Sequence, residues 1–204
     1  MLSRPLCNRV TPAGDLVATE HRGTLFGNRG VLHNDDLVLV RRHQVRRWVV
    51  CVLEFRGRRR QMMQPRRYTE LFFHDEAVAL SAGHRPCAEC RYGDYQRFRR
   101  AWMVGLGLSR LPSADEMDVV LHGQRGVADG VRSTHKAEWD ELPDGVFVLR
   151  DGGFWLLHER LLWPWTPAGY GSPHELFAGT AEVLTPVATV ATIGAGYRPG
   201  VSLP

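Results

Sequence analysis

Lysine is nearly absent from this chain: Lys136 stands alone against 25 arginines. Such a ratio fits a GC-rich coding bias, so it does not by itself mark selection for guanidinium. Long apolar runs are missing as well. No stretch approaches the ~18 residues that a membrane span needs, and Met1-Leu2-Ser3-Arg4-Pro5 does not lead into a secretory apolar segment. Only four cysteines occur in 204 residues, too few for a secreted disulfide scaffold. The expectation is a soluble cytoplasmic protein with no membrane role. Its 44% hydrophobic content suffices for one good core or two small ones.

The charge is unevenly placed. Residues 1–104 hold 19 Arg and 10 acidic residues, a balance of +9, and residues 105–204 balance at −5. Coding bias explains arginine over lysine but not why positive charge collects in one half. Clustered cations release counterions from phosphates, so this asymmetry points to a polyanion. It also suggests a division into a basic region 1–104, a Gly/Ser/Pro-rich linker 105–118 and an acidic region 119–204, which together can still form one compact unit.

The β-rich runs are Leu16 to Ala18, Leu37 to Val40, Trp48 to Phe55 and Tyr68 to Phe73. The run from Trp48 is apolar on both faces apart from Glu54, as in a central strand. With Tyr68 to Phe73 it is expected to form a hairpin closed by an arginine-laden connection. Asp75 to Ala82 reads as a short helix. Asp75 and Glu76 oppose its dipole, and Gly83 terminates it. A second helix, Tyr92 to Val104, spaces Tyr95, Phe98 and Trp102 by three and four. In the acidic half Val119 to Leu121, Gly145 to Leu149 and Phe154 to Leu157 read as strands, with Asp151-Gly152-Gly153 as a hairpin turn. Trp163-Pro164-Trp165-Thr166-Pro167 is too proline-broken for a helix. Val187 to Ile193 is a short helix or strand. Trp155, Trp163, Trp165 and Tyr170 read as filling a small β core. The fold class is α+β with a β-rich C-terminal part.

Cys87-Ala88-Glu89-Cys90 carries the most chemistry. A C-x-x-C turn aims two thiolates at one point while turn amides bond the sulfurs, which suits tetrahedral zinc. A redox dithiol is the competing reading, but it normally opens a helix after a strand in a βαβ setting. Here a helix and a glycine precede it, so metal is favoured.

The segment from Tyr68 to Cys90, with the helix after it, resembles the Ada-type metal-binding domain of bacterial DNA methylphosphotriester repair proteins. Ala79-Leu80-Ser81-Ala82-Gly83 matches the family's helix end, His84 takes an aromatic position, and Arg85-Pro86-Cys87-Ala88-Glu89-Cys90 matches the knuckle. The likeness spans residues 68–102, about a sixth of the chain. It implies an Ada-like unit of hairpin, helices and zinc knuckle that touches DNA backbone, in a repair, defence or regulatory setting. The family's other ligand pair, C-x-x-x-C, falls at Arg56 and Arg60, and one of those missing thiols is the methyl acceptor. Methyl transfer by that route is therefore not expected, and further ligands must come from elsewhere. Cys51 is the first candidate, with a plain core role between Val49 and Leu53 as its alternative. Cys7, His33 and His74 are others.

Arg56, Arg58, Arg59 and Arg60, with Arg85 and Arg91 near the knuckle, are the candidate nucleic-acid contacts, DNA ahead of RNA. Guanidinium forks pair bidentately with phosphate, although a solvated charged turn is the common role of such a run. His33 with Asp35 and Asp36 offers a general base or metal ligand with an acidic partner. That would make a nucleic-acid-processing enzyme of nuclease or glycosylase type, and a capped turn is the plainer account. Lys136 is a weaker candidate as a Schiff-base amine. A protein-interaction module that keeps the knuckle as a staple is the third possibility.

Overall fold

The computed structural model describes residues 5–57, 62–128 and 131–204, and these form two six-stranded sheets, a two-stranded ladder and four α-helices. The fold is α+β with a β-rich C-terminal part. The first sheet contains β1 (Cys7–Val10), β2 (Leu16–Ala18), β3 (Leu25–Asn28), β4 (Val49–Val52), β5 (Leu71–Phe73) and β6 (Arg85–Pro86), in the order β2-β1-β5-β3-β4-β6. The expected hairpin of β4 with β5 is not formed. β3 lies between them, pairing Phe26 with Cys51 on one side and with Phe72 on the other. Gly27 permits this close packing, because a Cβ there would stand 2.4 Å from the Val49 carbonyl oxygen and 2.7 Å from the Phe73 ring. Leu37 to Val40 is not a strand either. Its backbone makes a single bridge, His33 to Leu39, and its side chains are largely exposed.

Helix α1 (Glu76–Ser81) follows β5. Asp75 caps it by accepting from the Val78 amide at 2.9 Å. Its other carboxylate oxygen accepts from the Tyr170 hydroxyl at 2.8 Å and the Ser202 amide at 3.1 Å. Gly83, at φ +86°, ends the helix in the left-handed region. Helix α2 (Tyr92–Gly105) buries Tyr95, Phe98 and Trp102, as the spacing predicts. They pack on Met117 and Leu121 of α3 (Ala114–Gln124). The reading of Val119 to Leu121 as a strand is thus corrected, as is that of residues 114–118 as linker. Ser113 and Glu116 form a reciprocal capping box that starts a helix there.

A small ladder of β7 (Val127–Ala128) and β8 (Val131–Arg132) leads to the second sheet. That sheet has β9 (His135–Ala137), β10 (Phe147–Arg150), β11 (Gly153–His158), β12 (Leu161–Thr166), β13 (Gly169–Tyr170) and β14 (Ala181–Val183), ordered β13-β12-β11-β10-β14-β9. Asp151 and Gly152 turn β10 into β11 with φ of +50° and +72°, as the sequence predicts. The Pro164 run is strand β12, paired with β11. Helix α4 (Val187–Gly194) settles the last apolar run as helical. The main core draws Phe73 and Val78 from the basic half together with Phe147, Leu156, Trp165 and Tyr170 from the acidic half. No helix among the described residues is long and apolar enough to cross a membrane.

Candidate metal centre

The parallel pairing of β4 with β6 creates the site. Val49 stands opposite Arg85 and Val50 opposite Pro86. The Cys87 amide then donates to the Val50 carbonyl at 2.9 Å. Cys51 on β4 is thereby set beside Cys87 as the chain leaves β6. The turn that follows returns Cys90 to the same point, and α2 begins two residues later. The three sulfur atoms all lie within 4.8 Å of one another. Thiolates around one tetrahedral zinc, with Zn–S near 2.3 Å, would be about 3.8 Å apart, so small side-chain rotations suffice. Phe26, Val49 and Phe72 form an apolar wall around the sulfurs. Among the described residues no fourth histidine, cysteine or carboxylate joins the group.

The thiols are electrostatically unequal. Cys87 is drawn down to about 5, first by a hydrogen bond from the Cys51 thiol, then by the amides of Glu89 and Cys90, all working against burial. Cys51 is pushed well up by that same bond and by its own burial. Cys90 is raised chiefly by burial, although the Val52 amide supports its thiolate. A thiolate already stabilised at Cys87, with two neutral thiols beside it, is a donor set that a divalent cation completes by displacing protons.

Cys51, Cys87 and Cys90 are thus brought together as the sequence suggests, while the other candidate ligands lie elsewhere. Cys7 on β1 donates to the Leu16 carbonyl at 3.2 Å. His33 is held by the Thr69 hydroxyl at 2.6 Å and the Gln64 carbonyl at 3.3 Å. His74 approaches the Ser202 carbonyl at 3.3 Å. The His33, Asp35, Asp36 constellation does not assemble either. Asn34 accepts the amides of Asp36 and Val38 in a capped turn, and both aspartates face solvent away from any bond to His33. Lys136 is the exposed residue of β9, opposite Glu182.

The candidate phosphate contacts divide. Arg56 is exposed at a turn. Arg58, Arg59 and Arg60 lie outside the described residues. Arg85 and Arg91 require correction, because both guanidiniums are buried in ion pairs. Arg85 holds Asp118 at 2.7 Å, and Arg91 holds Glu76 at 2.9 Å and Asp94 at 2.6 Å. Buried guanidiniums committed to carboxylates present no exposed donor face to an incoming phosphate. In their place the structure exposes every residue of the segment 41–47, with Arg41, Arg42, Arg46 and Arg47 among them. Behind that segment, Arg29 and Arg125 stack on Trp48, and Arg132 lines the same cavity. Sequence reasoning missed this group, whose members are far apart in the chain.

No protein-family model, curated protein or solved structure matches the chain.

Proposed function

We propose that the chain is a zinc protein that binds nucleic acid, DNA ahead of RNA, in a repair, defence or regulatory role. The mutual approach of Cys51, Cys87 and Cys90 carries this reading. A three-thiolate set is soft and closely spaced, which favours zinc over magnesium or calcium. The centre joins β4, β6 and the start of α2, so a metal there fixes three elements at once. That is the task of a structural site, and thiolate ligands suit a reducing, cytoplasmic setting. The resemblance to the Ada-type domain supports the same reading through the order of strand, helix, glycine, knuckle and helix, with Cys51 replacing the absent ligand pair.

Polyanion binding is supported by the exposed arginines Arg41, Arg42, Arg46 and Arg47, with Arg56, Arg66 and Arg67 also exposed. The experiment is a salt titration of binding to a short DNA duplex and single strand by the zinc-loaded chain. Affinity should fall steeply with salt, and changing Arg41, Arg42, Arg46 and Arg47 to Ser should flatten the dependence by about 0.9 in log–log slope per lost phosphate contact. Absence of binding at low salt would remove the nucleic-acid reading and leave the metal centre standing.

A further inference from the structure

A cavity of about 440 Å³ opens between the β1–β2 turn, the segment 42–48 and the C-terminal end of α3. Four arginines line it: Arg42 at its exposed rim and, deeper, Arg29 just after β3, Arg125 at the end of α3 and Arg132 on β8. Arg29 and Arg125 are 1% and 2% exposed, and their guanidinium carbons sit 3.9 and 4.0 Å from the Trp48 ring centroid. Among the described residues, none of Arg29, Arg125 and Arg132 is ion-paired. Arg29 donates to the Gly14 carbonyl at 2.7 Å, Arg125 to the Gly83 carbonyl at 2.8 Å and to that of Arg46, and Arg132 to the Ser81 carbonyl at 2.9 Å. Arg29 Nη2, Arg125 Nε and Arg132 Nε are left without partners among the described residues.

The nearby carboxylates are engaged elsewhere. Asp15 pairs with Arg42 at 3.0 Å at the half-exposed rim, and Asp118 belongs to Arg85. Burial pulls Arg125 down to about 9 and Arg132 down to about 10, and repulsion from Arg132 adds to the shift of Arg125. Both still carry their charge at neutral pH. His43 and His122, in edge contact with ring centres 5.3 Å apart, also line the cavity. Burial and the arginine field hold both below the usual histidine range, so they present neutral imidazoles. Clustered buried cations without counter-ions are unfavourable unless an anion completes them. Guanidiniums anchored on carbonyls are preorganised as planar, multi-donor partners for the several oxygens of a phosphate. The volume exceeds the needs of inorganic phosphate and falls in the range for a small organic ligand.

We propose that this cavity binds the terminal phosphate of a nucleotide-sized phosphate monoester, with Arg29, Arg125 and Arg132 as its donors and Arg42 and His43 at its mouth. The site goes beyond the exposed polyanion surface and shares only Arg42 with it. The monoester has two sources, a free mononucleotide or the phosphorylated end of a strand.

Calorimetry on the full, zinc-loaded chain separates the outcomes, using adenosine 5′-monophosphate, adenosine, and one short single strand with and without a 5′-phosphate. Saturable binding of the monophosphate but not adenosine is expected. The rim double variant Arg42→Ala, His43→Ala should weaken it at least tenfold with the melting temperature retained, and Arg132→Gln should do the same. A strand bound at least tenfold tighter when phosphorylated identifies the strand end, and preference for the monophosphate alone identifies the small molecule. Equal binding of monophosphate and adenosine, no binding of either phosphate form, or binding untouched in both variants overturns the proposal. Changing Arg41, Arg46 and Arg47 to Ser should weaken strand binding through the surface and flatten its salt dependence while leaving the monophosphate bound, so the two readings fail separately.

Discussion

Arg85 grips Asp118 through two parallel hydrogen bonds, Nε to Oδ1 at 2.9 Å and Nη2 to Oδ2 at 2.7 Å. Both side chains are buried, so the pair locks strand β6, which leads into the cysteine turn, onto helix α3. Asp118→Ala leaves a buried guanidinium without its counter-ion and is expected to cost about 3–5 kcal/mol in urea unfolding. Arg85→Met with Asp118→Leu removes both charges and should recover most of that loss. If Asp118→Ala costs under about 1 kcal/mol, the pair is not buried as described.

The same pair shows where the sequence was readable. Arg85 beside the knuckle looks like a phosphate contact because its partner is 33 residues away, beyond any local pattern. Asp75, Gly83 and the Tyr95, Phe98, Trp102 spacing revealed α1 and α2, since capping and amphipathic period are local. Helix α3 was hidden by its Val119-Val120-Leu121 run, which favours a strand on propensity, although Ser113 and Glu116 carried the capping signal. Cys51 was legible as a ligand from the neighbouring strand. Arg29, Arg125 and Arg132 were not, because only the tertiary fold brings them to one cavity.

Gly105 sits where α2 crosses α4. A Cβ there would stand 2.3 Å from the Ala191 carbonyl oxygen. Gly105→Ala should therefore destabilise by about 1–3 kcal/mol through overpacking, although alanine is the better helix former by about 1 kcal/mol. A thermal melt with an unchanged or raised midpoint would show that the two helices are not in this contact.

His84 is fully buried, accepts from Arg29 Nε at 3.3 Å and packs 4.7 Å from the Phe73 ring. Burial first, then the charges of Arg29 and Arg125, hold it well below the usual histidine range. In the unfolded chain it returns to about 6.5. The unfolded state thus binds the extra proton, and stability contributed by neutral His84 is present above pH 6.5 and lost as pH falls below it. The loss is at most about 1.4 kcal/mol per pH unit. In urea unfolding between pH 7.5 and pH 5 (roughly the window set by that value), His84→Gln should be less stable throughout but fall less steeply than wild type. Parallel curves would mean that His84 is not held neutral.

The three-thiolate centre is tested most directly by the metal content of the purified full chain, wild type beside Cys51→Ala and Cys7→Ala. One zinc per chain is expected in the wild type and in Cys7→Ala, whose thiol lies apart on β1. Cys51→Ala should hold markedly less zinc and melt at a lower temperature. A wild-type chain that takes up no zinc, or a Cys51→Ala chain that keeps its full complement, would contradict the assignment of Cys51, Cys87 and Cys90 as one metal site.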